Sequence, residues 1–378
     1  MMEPRPVPAP RNTRGIAGAV VVTLLWGAAM AVIPIERVDA RPAASAPVRR
    51  TDACVTAKAA DGSAEPLTGS RWLAPSAPPD APAIVLAHGG FATHGLWDQP
   101  AHRPFARMLA ARGFDVYAFD WLGPDSPAGR PEGGGRLERA DEVQDFLHQF
   151  VAAVRAGTVR TNGCDGPVTG ARPHSLVLVG TSGGALYGVS GYAGRYDDAD
   201  AIVQAGWSHF GFSPLFTDIL GRAIARAVLR GDDGVSLFKT QQECEAVTMY
   251  KPGIEEELVD ELCDLDRLVP VPLGHFTSLP IVIGRNVTQI ARVGSTAPVL
   301  LTWAEHEAPW TPEQKRAEET LWRTTCRCDL TVWTQPDAGH TFIWHRTSDL
   351  WVDQVVEWLA ARGITAGRPP GAGTGLSR

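Results

Sequence analysis

The sequence lacks an excess of positive charge. Its 378 residues include 35 lysines and arginines against 42 aspartates and glutamates, which gives a formal net charge of −7. Proteins that bind nucleic acids neutralise the phosphate backbone with clustered cations. The composition therefore argues against a nucleic-acid partner, and a small neutral or organic molecule is the expected ligand.

Charged residues are scarce altogether. They make up 20% of the chain, whereas hydrophobic residues make up 44%. A chain of this length and composition buries a sizeable core, so it is expected to be globular and not disordered. Length alone allows one large domain or two modest ones.

Long apolar runs are also missing, with one exception near the N-terminus. An uncharged run at residues 15–33 follows Arg5, Arg11 and Arg14, which is the layout of an export signal. The run also approaches the ~20 residues that span a bilayer, so an uncleaved membrane anchor is the alternative. Either interpretation places most of the chain outside the cytoplasm, secreted or anchored. The Ala-, Pro- and Arg-rich stretch at 41–50 is interpreted as a linker.

The six cysteines form an even set, which an oxidising compartment favours as disulfides. The pairing does not follow from the sequence, although Cys244 and Cys263 would close a loop within one region. Cys326 and Cys328 are too close in sequence to be expected to bond each other. Their C-x-C spacing alone is too weak to indicate a metal site, and no metal ion is predicted.

Short apolar runs alternate with stretches of helical period from residue 80 onward, which predicts a parallel sheet covered by helices. Apolar residues at 143–154 recur at helical spacing. A C-terminal helix is predicted over 352–359, with Gly363 as a helix-terminating glycine. The predicted strands lie at 84–87, 116–119, 176–179, 201–204, 299–303 and 330–333.

The alternation breaks between residues 208 and 292, which we interpret as an inserted cap. This stretch contains helical pieces at 216–229 and 254–265 but no convincing strand before 281–283. The predicted organisation is a signal or anchor plus linker at 1–50, a core at 51–207 and 293–365, the cap at 208–292, and a flexible tail at 366–378.

One predicted strand leads directly into a glycine-rich turn. Gly180, Thr181, Ser182, Gly183 and Gly184 match G-x-S-x-G and precede a helix-like segment. A serine at such a turn has a strained backbone, and neighbours without bulky side chains let the turn pack closely. Its hydroxyl then lies near the positive end of the next helix, which favours developing negative charge. Ser182 is therefore the predicted nucleophile.

A second glycine-rich loop, His88-Gly89-Gly90-Phe91, follows the strand at 84–87. Two fixed amides aimed at one oxygen stabilise a tetrahedral intermediate, and one such donor contributes about 3 kcal/mol. Gly183 is predicted to supply one amide, and Gly90 or Phe91 the other. His88 is expected to brace this loop by hydrogen bonds and not to transfer a proton.

A serine hydroxyl needs a base, and His340 is the candidate. It lies in the loop after the last predicted strand, just before the C-terminal helix. The carboxylate that orients the imidazole is predicted to follow the strand at 299–303. Glu307 is preferred there, with Glu305 as the alternative acid and Asp337 as a weaker one.

An aromatic cluster follows the strand at 201–204. Trp207, His209 and Phe210 lie at the entrance to the predicted cap and are candidates for the wall of an apolar substrate pocket. Plain packing between cap and core explains the same residues equally well.

The HGGF loop, the GTSGG turn, the EHE loop and the DAGH loop appear in this order over about residues 70–365, each after a predicted strand. This arrangement resembles the α/β-hydrolase superfamily, and serine carboxylesterases and lipases with a helical cap in particular. The resemblance implies an α/β-hydrolase fold, with a mostly parallel central sheet, helices on both faces and an inserted mainly helical cap. It also implies cofactor-free cleavage of a carboxylic ester by Ser182, His340 and Glu307 through an acyl-enzyme.

The same machinery serves thioesterases, lactonases, amidases, carbon–carbon bond hydrolases and perhydrolases, and the sequence does not separate these from esterases. A non-catalytic binding protein that kept the fold is the alternative from another class. The chain departs from the commonest family pattern in having a glutamate as the acid and Phe91 in place of a third loop glycine.

Overall fold

The computed structural model describes residues 47–59, 62–98, 104–121, 140–293 and 297–366, which all fall in the compact unit Ser45–Arg378. The predicted signal or anchor at 15–33 and the tail from residue 367 onward lie outside the described residues. Among the residues that are described, no helix is both long and apolar enough to cross a membrane.

The described residues form one nine-stranded sheet and one two-stranded sheet. The six strands predicted at 84–87, 116–119, 176–179, 201–204, 299–303 and 330–333 are confirmed, because each coincides with a strand of the large sheet. In chain order the strands are β1 Arg49–Lys58, β2 Ala64–Leu73, β3 Ala83–Ala87, β4 Asp115–Phe119, β5 Arg160–Thr161, β6 Leu176–Thr181, β7 Ala201–Ala205, β8 Gly234–Val235, β9 Val271–Pro272, β10 Val299–Ala304 and β11 Leu330–Gln335.

The large sheet has the strand order β11-β10-β7-β6-β3-β4-β2-β1-β5 across the described part of the chain. Neighbouring strands from β11 to β4 are parallel. The remaining strands β2, β1 and β5 are antiparallel and were not predicted. Their sequences mix polar and apolar residues without a continuous apolar run, because β1 and β2 lie toward one edge of the sheet and are only partly buried.

The parallel strands β3, β4, β6, β7 and β10 are buried along their whole length because helices cover both faces of the sheet. Val177 and Val179 face one hydrophobic core, while Leu178 between them faces the other. The helices are α1 Phe105–Ala111, α2 Ala140–Ala156, α3 Pro214–Arg230, α4 Gln241–Thr248, α5 Glu256–Leu262, α6 Leu273–Ile290, α7 Pro312–Thr325 and α8 Ser348–Ala360. The first core includes side chains of α1 and α8, and the second includes side chains of α2, α6 and α7.

Both helices predicted to cover the sheet are confirmed. The predicted run at 143–154 lies within α2, where Phe150 stacks on Phe119 of β4 with ring centroids 4.7 Å apart. The C-terminal helix is α8, and Gly363 follows it with φ 77°, the left-handed backbone that glycine adopts most easily.

The insertion between β7 and β10 is mainly helical, as predicted for a cap, and contains α3 to α6 with the short pair β8 and β9. The strand predicted at 281–283 is wrong, because these residues lie inside α6. Val282, Asn286 and Ile290 are buried at helical spacing, whereas Ile281 is 72% exposed. The run at 281–283 therefore includes both buried and exposed positions of a helix, and a short apolar run of this kind does not distinguish a helix from a buried strand.

Three disulfides link the described cysteines. Cys54–Cys164 joins β1 to the turn after β5, and Cys244–Cys263 joins α4 to the end of α5. The expectation that Cys326 and Cys328 do not bond each other is wrong. Their Cα atoms lie 5.3 Å apart, within the ordinary disulfide range, because the chain turns between the end of α7 and the start of β11.

Candidate active site

Ser182 lies on a sharp turn at the end of β6. Its φ is 51°, a left-handed backbone that is uncommon for a residue with a side chain. The π-helix Gly184–Ser190 follows directly. A Cβ at Gly184 would lie 2.3 Å from the Ala87 carbonyl oxygen, and one at Gly180 would lie 2.6 Å from the Gly184 carbonyl oxygen. Glycine is therefore required on both sides for the turn to pack between the strands.

His340 reaches Ser182 from the loop after β11. Its Nε2 lies 3.0 Å from the Ser182 Oγ, within hydrogen-bond distance for the hydroxyl to donate to the imidazole. Its Nδ1 lies 2.8 Å from Glu307 Oε2. The Glu307 side chain is completely buried. Three distant loops thus place a hydroxyl, an imidazole and a carboxylate in one continuous chain of contacts.

Of the candidate acids, only Glu307 contacts the His340 imidazole. Glu305 turns away: its side chain is 51% exposed, and its Oε2 accepts a hydrogen bond from the Asp337 amide. Asp337 is exposed, with φ 51°. The structure therefore separates two glutamates that are only two positions apart in the sequence.

Gly206 was missed by the sequence analysis. It follows β7 directly with φ 57°, and a Cβ there would lie 2.9 Å from Glu307 Oε1 and 3.4 Å from the His340 ring. Only a glycine lets the backbone pass so close to the pair. The available signal was a glycine at the carboxyl end of β7, the strand beside the one that leads to Ser182.

The glycine-rich loop after β3 lies against the Ser182 turn. A Cβ at Gly183 would lie 2.8 Å from the Gly90 amide nitrogen, so the backbones of the two loops touch. Phe91 has a left-handed φ of 66°. Among the described residues, the amides of Gly90, Phe91 and Gly183 have no backbone acceptor. The backbone hydrogen bonds of the described residues therefore do not use these three N–H groups, and the two loops that carry them meet at Ser182.

His88 braces this loop, as the sequence analysis expected. Its Nδ1 lies 2.7 Å from the Gly89 carbonyl oxygen, and its ring stacks on Trp121. The Trp121 indole in turn donates to the His88 carbonyl oxygen. Burial lowers the pKa of His88 from 6.5 to about 4, although Asp120 nearby acts in the opposite direction. His88 is therefore a neutral donor over the physiological pH range.

We expect the neutrality of His88 to make the fold less stable in acid. Between pH 6.5 and about 4 the unfolded chain binds a proton at this position that the folded chain does not, so the free energy of unfolding falls as pH falls, by up to about 3 kcal/mol. Guanidinium unfolding at pH 7 and pH 4.5 measures the change. His88→Asn, which keeps a donor for Gly89 but cannot titrate, should show a smaller pH dependence. An equal dependence in both proteins would contradict this account.

An apolar cavity of about 160 Å³ opens beside Ser182 and His340. No aspartate, glutamate, lysine or arginine is among the described residues that line it. Large hydrophobic side chains from the core loops and the insertion form its wall, including Phe91, Trp207, Phe212, Phe216, Phe276 and Trp310.

Of the three predicted pocket residues, only Trp207 lines the cavity. The assignment of His209 is corrected: its ring is buried away from the cavity, with Nδ1 2.9 Å from Glu318 Oε1 of α7. Phe210 is also corrected, because it is 47% exposed at the surface and does not line the cavity. The backbone directly after Trp207 is bound to α7, because the Ser208 hydroxyl donates to the Gln314 carbonyl oxygen and the His209 amide donates to Glu318 Oε2. Trp310, which the sequence analysis missed, lies with its ring 5.1 Å from that of His340.

Among the described residues, one group of side chains brings metal-ligating atoms together. Ligand atoms of Glu305, His306 and Asp337 lie within 4.8 Å of one another. All three residues are exposed, and Glu305 already accepts the Asp337 amide hydrogen bond. Their position carries no argument for a bound ion.

A model of the alpha/beta hydrolase family matches residues 84–357 of the chain. No curated protein matches its sequence. Similar solved structures include a monoacylglycerol lipase from Paleococcus ferrophilus, with 17% identity, 84% of this chain and 99% of that chain covered, and a TM-score of 0.54. A thermophilic esterase from Thermogutta terrifontis, with malate bound, has 16% identity, 83% and 98% coverage and a TM-score of 0.56.

A third similar structure is the 2-hydroxy-6-oxo-6-phenylhexa-2,4-dienoate hydrolase from Rhodococcus sp. strain RHA1, with 13% identity, 83% and 99% coverage and a TM-score of 0.51. At these identities the likeness concerns the fold and leaves the reaction to be argued from the site itself.

Proposed function

Because the chain belongs to the alpha/beta hydrolase family, we propose that it is a serine hydrolase that cleaves carboxylic esters with an apolar acyl group. One observation carries the proposal: the contact chain Ser182–His340–Glu307, with distances of 3.0 and 2.8 Å, opens onto an apolar cavity. A hydroxyl within reach of an imidazole that a carboxylate orients is the arrangement that makes serine a nucleophile.

In the proposed reaction, Ser182 Oγ attacks the ester carbonyl carbon while its proton passes to His340 Nε2. Glu307 accepts a hydrogen bond from Nδ1 and stabilises the resulting imidazolium. The carbonyl oxygen becomes negatively charged and is stabilised by the amide of Gly183 and that of Gly90 or Phe91. His340 then returns the proton to the leaving alcohol, which departs and leaves an acyl-enzyme.

Water completes the cycle by the same route. His340 removes a proton from the water as it attacks the acyl carbon, and returns it to Ser182 when the tetrahedral intermediate collapses. The carboxylic acid leaves and the serine is restored. Every proton in these steps moves between groups of this chain, the substrate and water.

The cavity wall supports an uncharged acyl group. An acyl chain that enters it replaces water with hydrophobic contacts, whereas a carboxylate would be desolvated without a partner. Trp310 lines the cavity beside His340, and Trp207 lines it beside Trp310.

A matched pair of esters tests the substrate class. We expect kcat/KM for p-nitrophenyl esters to rise about fourfold per added methylene from acetate to hexanoate, since each buried methylene contributes about 0.8 kcal/mol. The p-nitrophenyl monoester of succinate, with as many acyl carbons as butyrate but one carboxylate, should be hydrolysed far more slowly than butyrate. Equal rates for succinate and butyrate would contradict an apolar acyl site.

We also propose that the enzyme acts outside the cytoplasm, secreted or held at a membrane by residues 15–33. The basic residues before that apolar run and the three disulfides among the described cysteines support this location. A cleaved signal and an uncleaved anchor both satisfy it.

A further inference from the structure

The loop that carries His340 packs directly against a segment of the insertion, residues 248–253. Both the amide and the hydroxyl of Thr341 donate to the Thr248 carbonyl oxygen, at 2.9 and 2.7 Å. A Cβ at Gly339 would lie 2.5 Å from the Tyr250 nitrogen, and one at Gly253 would lie 2.0 Å from the Asp337 carbonyl oxygen. Glycine on each side therefore allows the two backbones to touch.

His345 lies at the centre of this contact. Its side chain is completely buried. The amides of Gly339 and Tyr250 both point at its Nε2, each at 3.0 Å. Its Nδ1 lies 3.0 Å from the Thr341 carbonyl oxygen. One imidazole therefore binds the residue before His340, the residue after His340 and the insertion.

These contacts define the protonation state of His345. Two N–H donors converge on Nε2, so Nε2 must carry a lone pair and not a proton. Nδ1 then carries the proton and donates to Thr341. Only the neutral tautomer with hydrogen on Nδ1 satisfies all three contacts. A proton on Nε2 would point a third N–H donor at the two amide N–H donors, and the three would repel one another.

The charged groups around His345 shift its pKa in opposite directions. Burial lowers its pKa to about 4, while the carboxylates of Glu307 and Glu255 raise it and His306 lowers it. Burial is the largest of these effects. The neutral form therefore persists across the pH range in which the proposed triad would operate.

We propose that His345 is a positioning residue for His340, which it holds against Ser182 by fixing the peptide groups on either side and tying them to the insertion. This inference rests on the proposed function. Hydrogen bonds at Gly339 and Thr341 restrict the backbone torsions of His340, and a displacement of about 1 Å at a reacting group costs up to about 100-fold in rate.

His345→Leu should lower kcat about 100-fold for p-nitrophenyl butyrate and leave KM unchanged, because His345 does not line the cavity. His345→Gln places an amide oxygen near the position of Nε2 and should recover kcat to within about fivefold of the wild type, the equivalent of one neutral hydrogen bond. As pH falls toward about 4, kcat of the wild type should fall more steeply than that of His345→Gln, which has one titrating group fewer.

His174→Gln is the matched control, since His174 lies exposed in the segment before β6 and its Nδ1 contacts the Asp80 carbonyl oxygen. It should keep wild-type kcat and KM. Thermal unfolding of each variant shows whether the fold is retained. Nitrogen NMR of histidine-labelled wild type provides a test independent of the variants, and should show His345 with hydrogen on Nδ1 only.

The outcomes separate this inference from the proposed function. A wild type that does not hydrolyse any ester rejects both. If the wild type hydrolyses an ester, an unchanged kcat in His345→Leu rejects the positioning role alone. The same conclusion follows if His345→Gln is as impaired as His345→Leu. If His345→Leu does not fold, the NMR spectrum and His345→Gln provide the test. A proton on Nε2 of His345 overturns the proposal. A proton on Nδ1, together with recovery of kcat in His345→Gln, supports it.

Discussion

Ser182→Ala will lower kcat for ester hydrolysis by about 10⁶-fold, the loss seen when the nucleophile of a serine protease is removed. The same change will abolish covalent labelling by a fluorophosphonate, measured by the mass of the intact protein. The physical reason is that no other described hydroxyl lies within hydrogen-bond distance of His340. Alanine retains the Cβ, so the turn at the end of β6 should keep its shape.

Ser175→Ala provides the control for this experiment. Ser175 immediately precedes β6, whereas Ser182 immediately follows it, so the two serines lie at opposite ends of one strand. Ser175→Ala should retain labelling and turnover. A folded wild type that neither reacts with the fluorophosphonate nor hydrolyses any ester would favour the non-catalytic binding protein over the enzyme.

Glu307→Gln is expected to lower kcat by about 10⁴-fold, the effect of the corresponding carboxylate-to-amide change in a serine protease. The amide keeps the shape of the side chain but loses the negative charge that stabilises the imidazolium. Where its NH₂ group faces Nδ1, two hydrogen-bond donors meet and repel each other. The Glu307 carboxylate is buried and lies 2.8 Å from Nδ1, so a water molecule cannot readily take over its hydrogen bond.

The neighbouring Glu305→Gln should remain within about threefold of the wild type, since its carboxylate is half exposed and an amide oxygen can still accept the Asp337 N–H. Steady-state kinetics on one ester compares the two variants directly. Loss of turnover in Glu305→Gln with retention in Glu307→Gln would show that the assigned acid is wrong.

The proposed site forms where parallel strands end together. The pairing of Ala304 with Gln335 and of Thr181 with Ala205 aligns the carboxyl ends of β10, β11, β6 and β7. The loops that carry Glu307, His340 and Ser182 therefore begin at one edge of the sheet, although they are far apart in sequence. This edge is where ligands generally bind in open α/β sheets.

Local sequence predicted the parts of the fold that are buried on both sides. The strands β3, β4, β6, β7 and β10 are buried along their whole length because helices cover both faces. The strand β11 was also predicted, although it ends the sheet and is only partly buried. The antiparallel strands β1 and β2 were not predicted because they are only partly buried. Part of α6 was predicted as a strand because three consecutive apolar residues, Ile281 to Ile283, are too few to show a helical period.

The sequence by itself determined the fold class, the serine on its glycine turn and the histidine after the last strand, because each depends on a local pattern of residues and on chain order. Only the tertiary structure decided that Glu307 and not Glu305 meets His340, that Trp207 lines the cavity while His209 does not, that Cys326 bonds Cys328, and that His345 brackets the His340 loop. Each of these depends on the direction in which a turn points a side chain. That direction is set by contacts between segments that the sequence order does not bring together.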